Sequence, residues 1–81
     1  MKMTRQEVRD FIDDELMPMV RVSSPRALST VIEDFEALEV AFLSGNNTLV
    51  FAMASYISQA EGLLNGTQIA QRITKQLFEH D

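Results

Sequence analysis

The chain contains no cysteine, and this absence excludes disulfide bonds and thiolate metal sites. A small domain that lacks these supports depends on tight helix packing or on oligomerisation. The 81 residues are too few for two hydrophobic cores, so we expect one domain over residues 1–81. A chain without cysteine also fits a reducing compartment, which favours a cytoplasmic location.

Long hydrophobic runs are also missing. No segment approaches the ~20 apolar residues that a membrane-spanning helix needs. Charged residues appear within the first few positions, so the apolar stretch of a secretory signal is not found there. Apolar residues nevertheless make up 46% of the chain, which is too many for a disordered protein. We therefore predict a folded cytoplasmic protein without a membrane span.

Basic residues are absent from a long central part of the sequence, between Ala27 and Gln71. The formal net charge of the whole chain is −5. Because a phosphate-binding surface needs clustered Lys and Arg, we do not expect nucleic acid to be a partner. The acidic residues of this part either face a basic partner or form a solvated helix face. They are Glu33, Asp34, Glu36, Glu39 and Glu61.

Three breaks, at 23–25, 44–47 and 65–67, divide the chain into four segments of helical length. Within the segments, apolar residues recur at spacings of three and four, as on one face of an α-helix. Because connections this short place neighbouring helices antiparallel, we predict an all-α, up-down-up-down four-helix bundle. The predicted core stripes are Val8, Phe11, Ile12 and Leu16; Leu28, Val31, Ile32, Phe35, Leu38 and Phe42; Ile69, Ile73 and Leu77.

The first helix has a start signal and a stop signal. Thr4 and Glu7 have the spacing of a capping box, in which each side chain accepts a hydrogen bond from the other residue's backbone. Pro18 disfavours helical geometry at the residue before it, so we predict that this helix ends near Met17. The segment 19–22 is then expected to be an apolar connector.

The later helices have their own end signals. Ser24 is predicted to cap the second helix with Pro25 in its first position, and Gly45 to end it in a left-handed conformation. The remaining predicted boundaries are Asn46 or Asn47 as the cap of the third helix, Asn65-Gly66 as its end and Thr67 as the start of the fourth.

The third helix is apolar on every side over residues 49–54. Such a helix is either the most buried element of a bundle or part of an oligomer contact. Several of its residues are small and would let a neighbouring helix approach closely. A structural homodimer that forms through this helix is therefore one hypothesis for the role of the chain.

Residues with catalytic or metal-binding chemistry are scarce. The single histidine, His80, is second from the end and lacks an oriented partner. Asp10 and Asp14 share a helix face, but without histidine ligands they indicate a solvated surface rather than a metal site. The segment 67–73 is only weakly similar to a helix-turn-helix, because no glycine-containing turn and recognition helix follow it. We therefore predict a protein that is not an enzyme and has no cofactor.

The arrangement of the segments resembles a known family over residues 4–78. The parts that carry this resemblance are the long second helix at 26–39, the aromatic and aliphatic third helix around Ser55-Tyr56-Ile57, and a short final helix from Ile69 to Phe78. Four antiparallel helices in a chain of this length, without site chemistry, are similar to the immunity proteins for class IIa (pediocin-like) bacteriocins, the enterocin A immunity family.

The resemblance implies a function without turnover. Proteins of that family protect the producing cell from its own bacteriocin. They act from the cytosolic side on the membrane sugar-transporter receptor that the bacteriocin engages. The specificity of these proteins lies in the C-terminal half, which would be residues 49–81 here.

Two groups of residues are candidates for contact with a protein partner. The first is the acidic face of the second helix, with Glu33, Glu36 and Glu39. The second lies in the C-terminal half and consists of Tyr56, Gln68, Arg72, Lys75 and Phe78. The alternatives to immunity are a small acidic regulator from a phage or mobile element, acting as an inhibitor or antitoxin through the acidic face, and the structural homodimer.

Overall fold

The computed structural model describes residues 3–23 and 27–80, and these ranges contain four helices and no strand. Helix α1 covers residues 5–23, α2 is Leu28–Ser44, α3 is Asn47–Glu61 and α4 is Leu63–His80. Each helix packs against its neighbours in the chain, and α4 also packs against α1. The result is the predicted antiparallel, up-down-up-down four-helix bundle, with a Cα radius of gyration of 11.5 Å.

The core takes apolar side chains from all four helices. Most of the predicted stripe residues are buried, but Leu28 and Ile32 are not, with 49% and 40% of their surface exposed. The buried apolar residues are Met3, Val8, Phe11, Ile12, Leu16, Val20, Val31, Phe35, Leu38, Ala41, Phe42, Val50, Ala54, Ile57, Ile69, Ile73 and Leu77. The apolar stripe of α2 is therefore wider than the strip that the core covers.

Helix α1 begins with the predicted capping box. The backbone N–H of Glu7 donates to Thr4 Oγ1 at 3.2 Å, and the backbone N–H of Thr4 donates to Glu7 Oε1 at 3.0 Å. Both bonds satisfy donors that a helix start would otherwise leave without a partner.

The predicted end of α1 near Met17 is wrong. The helix is α-helical over Arg5–Phe11, π-helical over Ile12–Leu16 and α-helical again over Met17–Ser23. A proline inside a regular α-helix lacks an N–H, and its ring clashes with the carbonyl four residues before it. The wider π turn, in which the N–H of Met17 donates to the carbonyl of Ile12, lies immediately before Pro18 and accommodates the ring. The segment 19–22 is therefore helical and not a connector.

Helix α2 begins later than expected. Ala27 is its N-cap, with φ −60° and ψ 139°, and it makes no side-chain capping bond. The helix therefore starts at Leu28 and not at Pro25, while Ser24 and Pro25 themselves lie outside the described residues. The predicted end is confirmed, because Gly45 closes the helix with φ 70°.

The boundary between α3 and α4 is the third correction. Helix α3 starts as predicted, with Asn46 Oδ1 accepting from the N–H of Leu49 at 3.0 Å. It ends four residues earlier than predicted, because Gly62, with φ 90°, is the break. Asn65-Gly66 belongs to α4, where the N–H of Gly66 donates to the carbonyl of Gly62 at 2.8 Å. Thr67 is therefore an interior residue of α4 and not its start.

Gly66 is needed for close helix packing rather than for a turn. A Cβ atom at this position would overlap the backbone carbonyl of Ser58 in α3. The two antiparallel helices therefore approach each other at Gly66 more closely than any other residue type would allow.

Candidate functional site

An open groove runs between α1 and α2 and has a volume of about 1040 Å³. Its floor includes the buried side chains of Ile12 and Phe35. Ile32 and Val40, which are 40% and 62% exposed, also line it. The further lining residues are Arg5, Arg9, Asp13, Met17, Pro18, Glu36, Glu39 and Leu43. The groove therefore joins apolar surface on two helices to charged side chains.

The two helices also contact each other through aromatic packing in the core. The rings of Phe11 in α1 and Phe42 in α2 lie with their centroids 6.0 Å apart, edge to face at 85°. Both residues are buried, and such pairs stabilise a core beyond the area that they bury. This core contact therefore helps to fix α1 and α2 relative to each other.

Charged residues of both helices meet at the groove. Glu39 Oε1 in α2 lies 3.4 Å from Arg9 Nε and 4.0 Å from Arg5 Nε, both in α1. The side chain of Glu39 is only 15% exposed, so this candidate residue is held against α1. Glu36 and Asp13 also line the groove and are exposed. The lining contains two arginines, Arg5 and Arg9, and three carboxylates, Asp13, Glu36 and Glu39, so the groove as a whole has a slight excess of negative charge.

The acidic candidate residues are therefore divided by the structure. Glu36 and Glu39 line the groove, whereas Glu33 is exposed on α2 outside it. Sequence reasoning missed the apolar part of the site, because it assigned Ile32 to the core and did not single out Val40. A signal was present: Ile32, Val40 and Leu43 form a second apolar line beside the buried stripe.

The other side of the bundle exposes aromatic side chains. Phe51 of α3 and Phe78 of α4 have ring centroids 6.0 Å apart and are 44% and 64% exposed. Leu49 and Tyr56, both in α3, are 38% and 49% exposed. The segment 49–54, which is apolar on every side, therefore has its outer side uncovered in the single chain, with Leu49, Phe51 and Ala52 exposed.

The remaining C-terminal candidates lie on one face of α4. Gln68, Arg72 and Lys75 are exposed, and their spacings of four and three place them together. Arg72 Nη1 donates to Glu15 Oε1 of α1 at 2.9 Å, and Lys75 Nζ lies 3.8 Å from Glu79 Oε1. Arg72 therefore ties α4 to α1, and the structure does not unite this face with the groove.

The described part of the chain contains neither a metal-binding cluster nor a membrane-spanning helix. No three His, Asp or Glu side chains lie in a group that could hold a metal ion, and no helix has the length and apolar content to cross a membrane. Comparison with known proteins found no matching family model, no matching curated protein and no matching solved structure. The groove between α1 and α2 and the exposed aromatic surface of α3 and α4 are therefore the candidate sites of the described bundle.

Proposed function

We propose that this protein acts by binding a protein partner, without turnover, and that the groove between α1 and α2 receives an amphipathic helix of that partner. The observation that carries the proposal is the pairing of exposed Ile32 and Val40 with a buried apolar floor in one open groove. An apolar groove between two helices is a common receptor for the apolar face of a third helix. Exposed apolar surface of this kind is typical of interaction sites.

The charge around the groove indicates what kind of helix would bind. Helix α2 contains no basic residue, and Glu36 and Asp13 are exposed at the groove. A partner helix with Lys or Arg beside its apolar face would complement this surface and would associate faster at low salt. We therefore propose a basic amphipathic helix as the ligand class.

The particular function that we propose is immunity to a pediocin-like bacteriocin in the cytoplasm of the producing cell. Its support is the resemblance in helix layout together with a surface suited to protein contact. The partner would then be the membrane sugar-transporter receptor with its bound bacteriocin. A small acidic inhibitor or antitoxin is the second candidate, and the acidic residues around the groove favour it.

Binding at the groove is tested with a labelled synthetic helix built from Leu and Lys. We expect fluorescence anisotropy to detect a complex that weakens as salt is raised. Glu36→Lys, in the groove, should weaken the complex about tenfold, the loss of one charge contact of about 1.4 kcal/mol. Glu33→Lys makes the same charge change on the same helix outside the groove and is the matched control. Equal weakening by both variants would mean diffuse attraction and would contradict a groove site.

Immunity is tested in a host that is sensitive to pediocin-like peptides. Expression of the chain should raise survival against at least one peptide of a panel, and Glu36→Lys should abolish the protection while Glu33→Lys retains it. Unchanged killing across the panel would remove the immunity function but leave the groove proposal to the binding assay. Loss of protection in Phe78→Ala alone would instead place recognition in the C-terminal half.

A further inference from the structure

The outer face of α3 carries no charge. The only charged residue in this helix is Glu61, which is 5% exposed. By contrast, charged residues make up 23% of the whole chain. The exposed residues of α3 are Asn47, Thr48, Leu49, Phe51, Ala52, Ser55, Tyr56 and Gln59. Charge depletion combined with exposed aromatic side chains is the composition of the core of a protein interface, not of a solvated surface.

The sizes of these residues follow a pattern along the helix. The centre line of the exposed face consists of Thr48, Ala52, Ser55 and Gln59, at spacings of four, three and four. Larger side chains lie on both sides of this line, with Leu49 and Tyr56 on one side and Phe51 on the other. Phe78 of α4 extends the Phe51 side. Another helix can therefore approach the small central residues closely while the large side chains pack around it.

We propose that this face binds a second copy of the same chain, with α3 of one copy packed antiparallel on α3 of the other about a twofold axis near Ala52 and Ser55. A twofold contact brings the same surface together from both copies, so the surface must complement itself. An uncharged face with small residues at its centre and large ones at its sides meets that condition.

The lack of charged residues on the exposed face of α3 favours a second copy of the chain as the partner that binds there. Each copy has a net charge of −5, so two copies repel each other, and this repulsion is smallest when they meet through a surface without charges. A basic partner would find no exposed carboxylate on α3 to pair with. A lipid surface is also disfavoured, because helices that lie on membranes usually carry Lys or Arg beside their apolar side, and α3 has neither.

The size of the molecule supports the same occupant. The accessible surface of the chain is 4951 Å², and a standard interface covers about 800 Å² per partner, roughly a sixth of that surface. Chains this small often need oligomerisation to supplement a limited core. Because the groove between α1 and α2 lies on the other side of the bundle, the contact would leave it open in both copies.

The proposal is tested by sedimentation of the full chain from about 1 µM to about 300 µM, because self-association depends on concentration. The wild type should shift from its monomer mass of 9.2 kDa to twice that value. Ala52→Lys places like charges at the axis and should stay monomeric throughout. Ala37→Lys adds the same charge to an exposed position of α2, and this control should dimerise like the wild type. Circular dichroism confirms that both variants fold.

A second measurement uses the absence of cysteine from the chain. Ser55→Cys should form a disulfide-linked dimer under mild oxidation at least tenfold faster than Ala37→Cys, because only the former places the two sulfurs near the axis. A wild type that stays monomeric over the whole range, or equal behaviour of the matched variants, would overturn the proposal. A third outcome is that the wild-type monomer binds phosphatidylcholine vesicles and that Ala52→Lys abolishes this binding. The face would then bind a lipid surface and not a second copy.

Discussion

The two sides of the bundle are built differently. On the α3/α4 side the helices approach so closely that Gly66 cannot carry a side chain against Ser58. On the α1/α2 side the helices leave a groove whose floor includes the buried side chains of Ile12 and Phe35. The closed side has only a smaller hollow of about 560 Å³, which is lined almost entirely by α4 and has Ser58 as its single residue from α3. The open side offers a concave, partly apolar surface, which is why we place the binding of a partner helix there.

The irregular part of α1 coincides with the open side. Met17 and Pro18, which follow the π segment, both line the groove. Wide turns of this kind are frequent at functional sites, because they change the direction of a helix face without ending the helix. The interruption therefore shapes the groove and does not terminate α1.

The largest expected effect comes from the floor of the open side. Phe35 is 3% exposed and lines the groove from beneath, so Phe35→Ala should lower the free energy of unfolding by about 3–5 kcal/mol. Such a loss could unfold a domain of ordinary stability. Urea denaturation measures it. Ile32→Ala is the control on the same helix, and since Ile32 is 40% exposed it should cost clearly less. A Phe35→Ala protein as stable as the wild type would show that the open side has no core beneath it.

The close packing of α3 against α4 is tested by whether Gly66→Ala raises or lowers the stability of the protein. Replacing a glycine in a helix interior with alanine usually stabilises the helix by about 0.5–1 kcal/mol. Gly66→Ala should instead destabilise the protein by about 2–3 kcal/mol, because the new Cβ forces α3 and α4 apart at Ser58. Thermal unfolding shows directly whether the variant is less stable or more stable than the wild type.

The comparison variant for Gly66→Ala is Gly45→Ala. Its position has φ 70° and no atom within 4 Å of an added Cβ, so its cost of about 1–2 kcal/mol arises from backbone strain alone. A Gly66→Ala protein that is more stable than the wild type would contradict the close approach of α3 and α4.

Local patterns in the sequence predicted the number of helices, most of the core and three of the helix ends. The Thr4–Glu7 capping box, the left-handed Gly45 and the Asn46 cap depend only on residues within one turn, so their geometry can be read without the fold. The stripes of α1 and α4 are equally local. The fold class followed from these patterns and from the short connections.

The errors have a different origin. From the sequence alone Gly66 is interpreted as a turn residue, whereas in the structure it is the position where α4 packs against Ser58. Pro18 is interpreted as the end of a helix, whereas the preceding π turn accommodates its ring. The groove was missed for the same kind of reason, since Ile32 is apolar and only the separation of α1 and α2 leaves it exposed. The contact at Gly66 and the exposure of Ile32 depend on how helices are placed relative to one another, which periodicity does not specify. The π turn lies within α1, and the spacing of apolar residues does not reveal it either.

A smaller effect is expected at the start of α2, on the open side. Ala27 is an N-cap without a side-chain acceptor, while its carbonyl already accepts from the N–H groups of Thr30 and Val31. Ala27→Ser should therefore stabilise the protein by about 0.5–1 kcal/mol, because its hydroxyl can accept from a first-turn N–H. Urea denaturation measures the gain. The absence of any gain would indicate that α2 begins elsewhere in solution.

The smallest expected effect concerns the ion pairs that join α1 to α2 across the groove. Glu39→Gln removes the charge that faces Arg9 and Arg5 and should cost about 0.5 kcal/mol, as for other partly exposed pairs. Unfolding measured at about 0.05 M and 1 M salt should show the difference shrinking, because salt screens the pair. Glu36→Gln is the neighbouring control and should have less effect.

A loss above about 2 kcal/mol that persists in high salt would mean that Glu39, and not the aromatic core contact, holds the open side together. The width of the groove would then depend on this carboxylate, and a basic partner helix would compete with Arg9 for it.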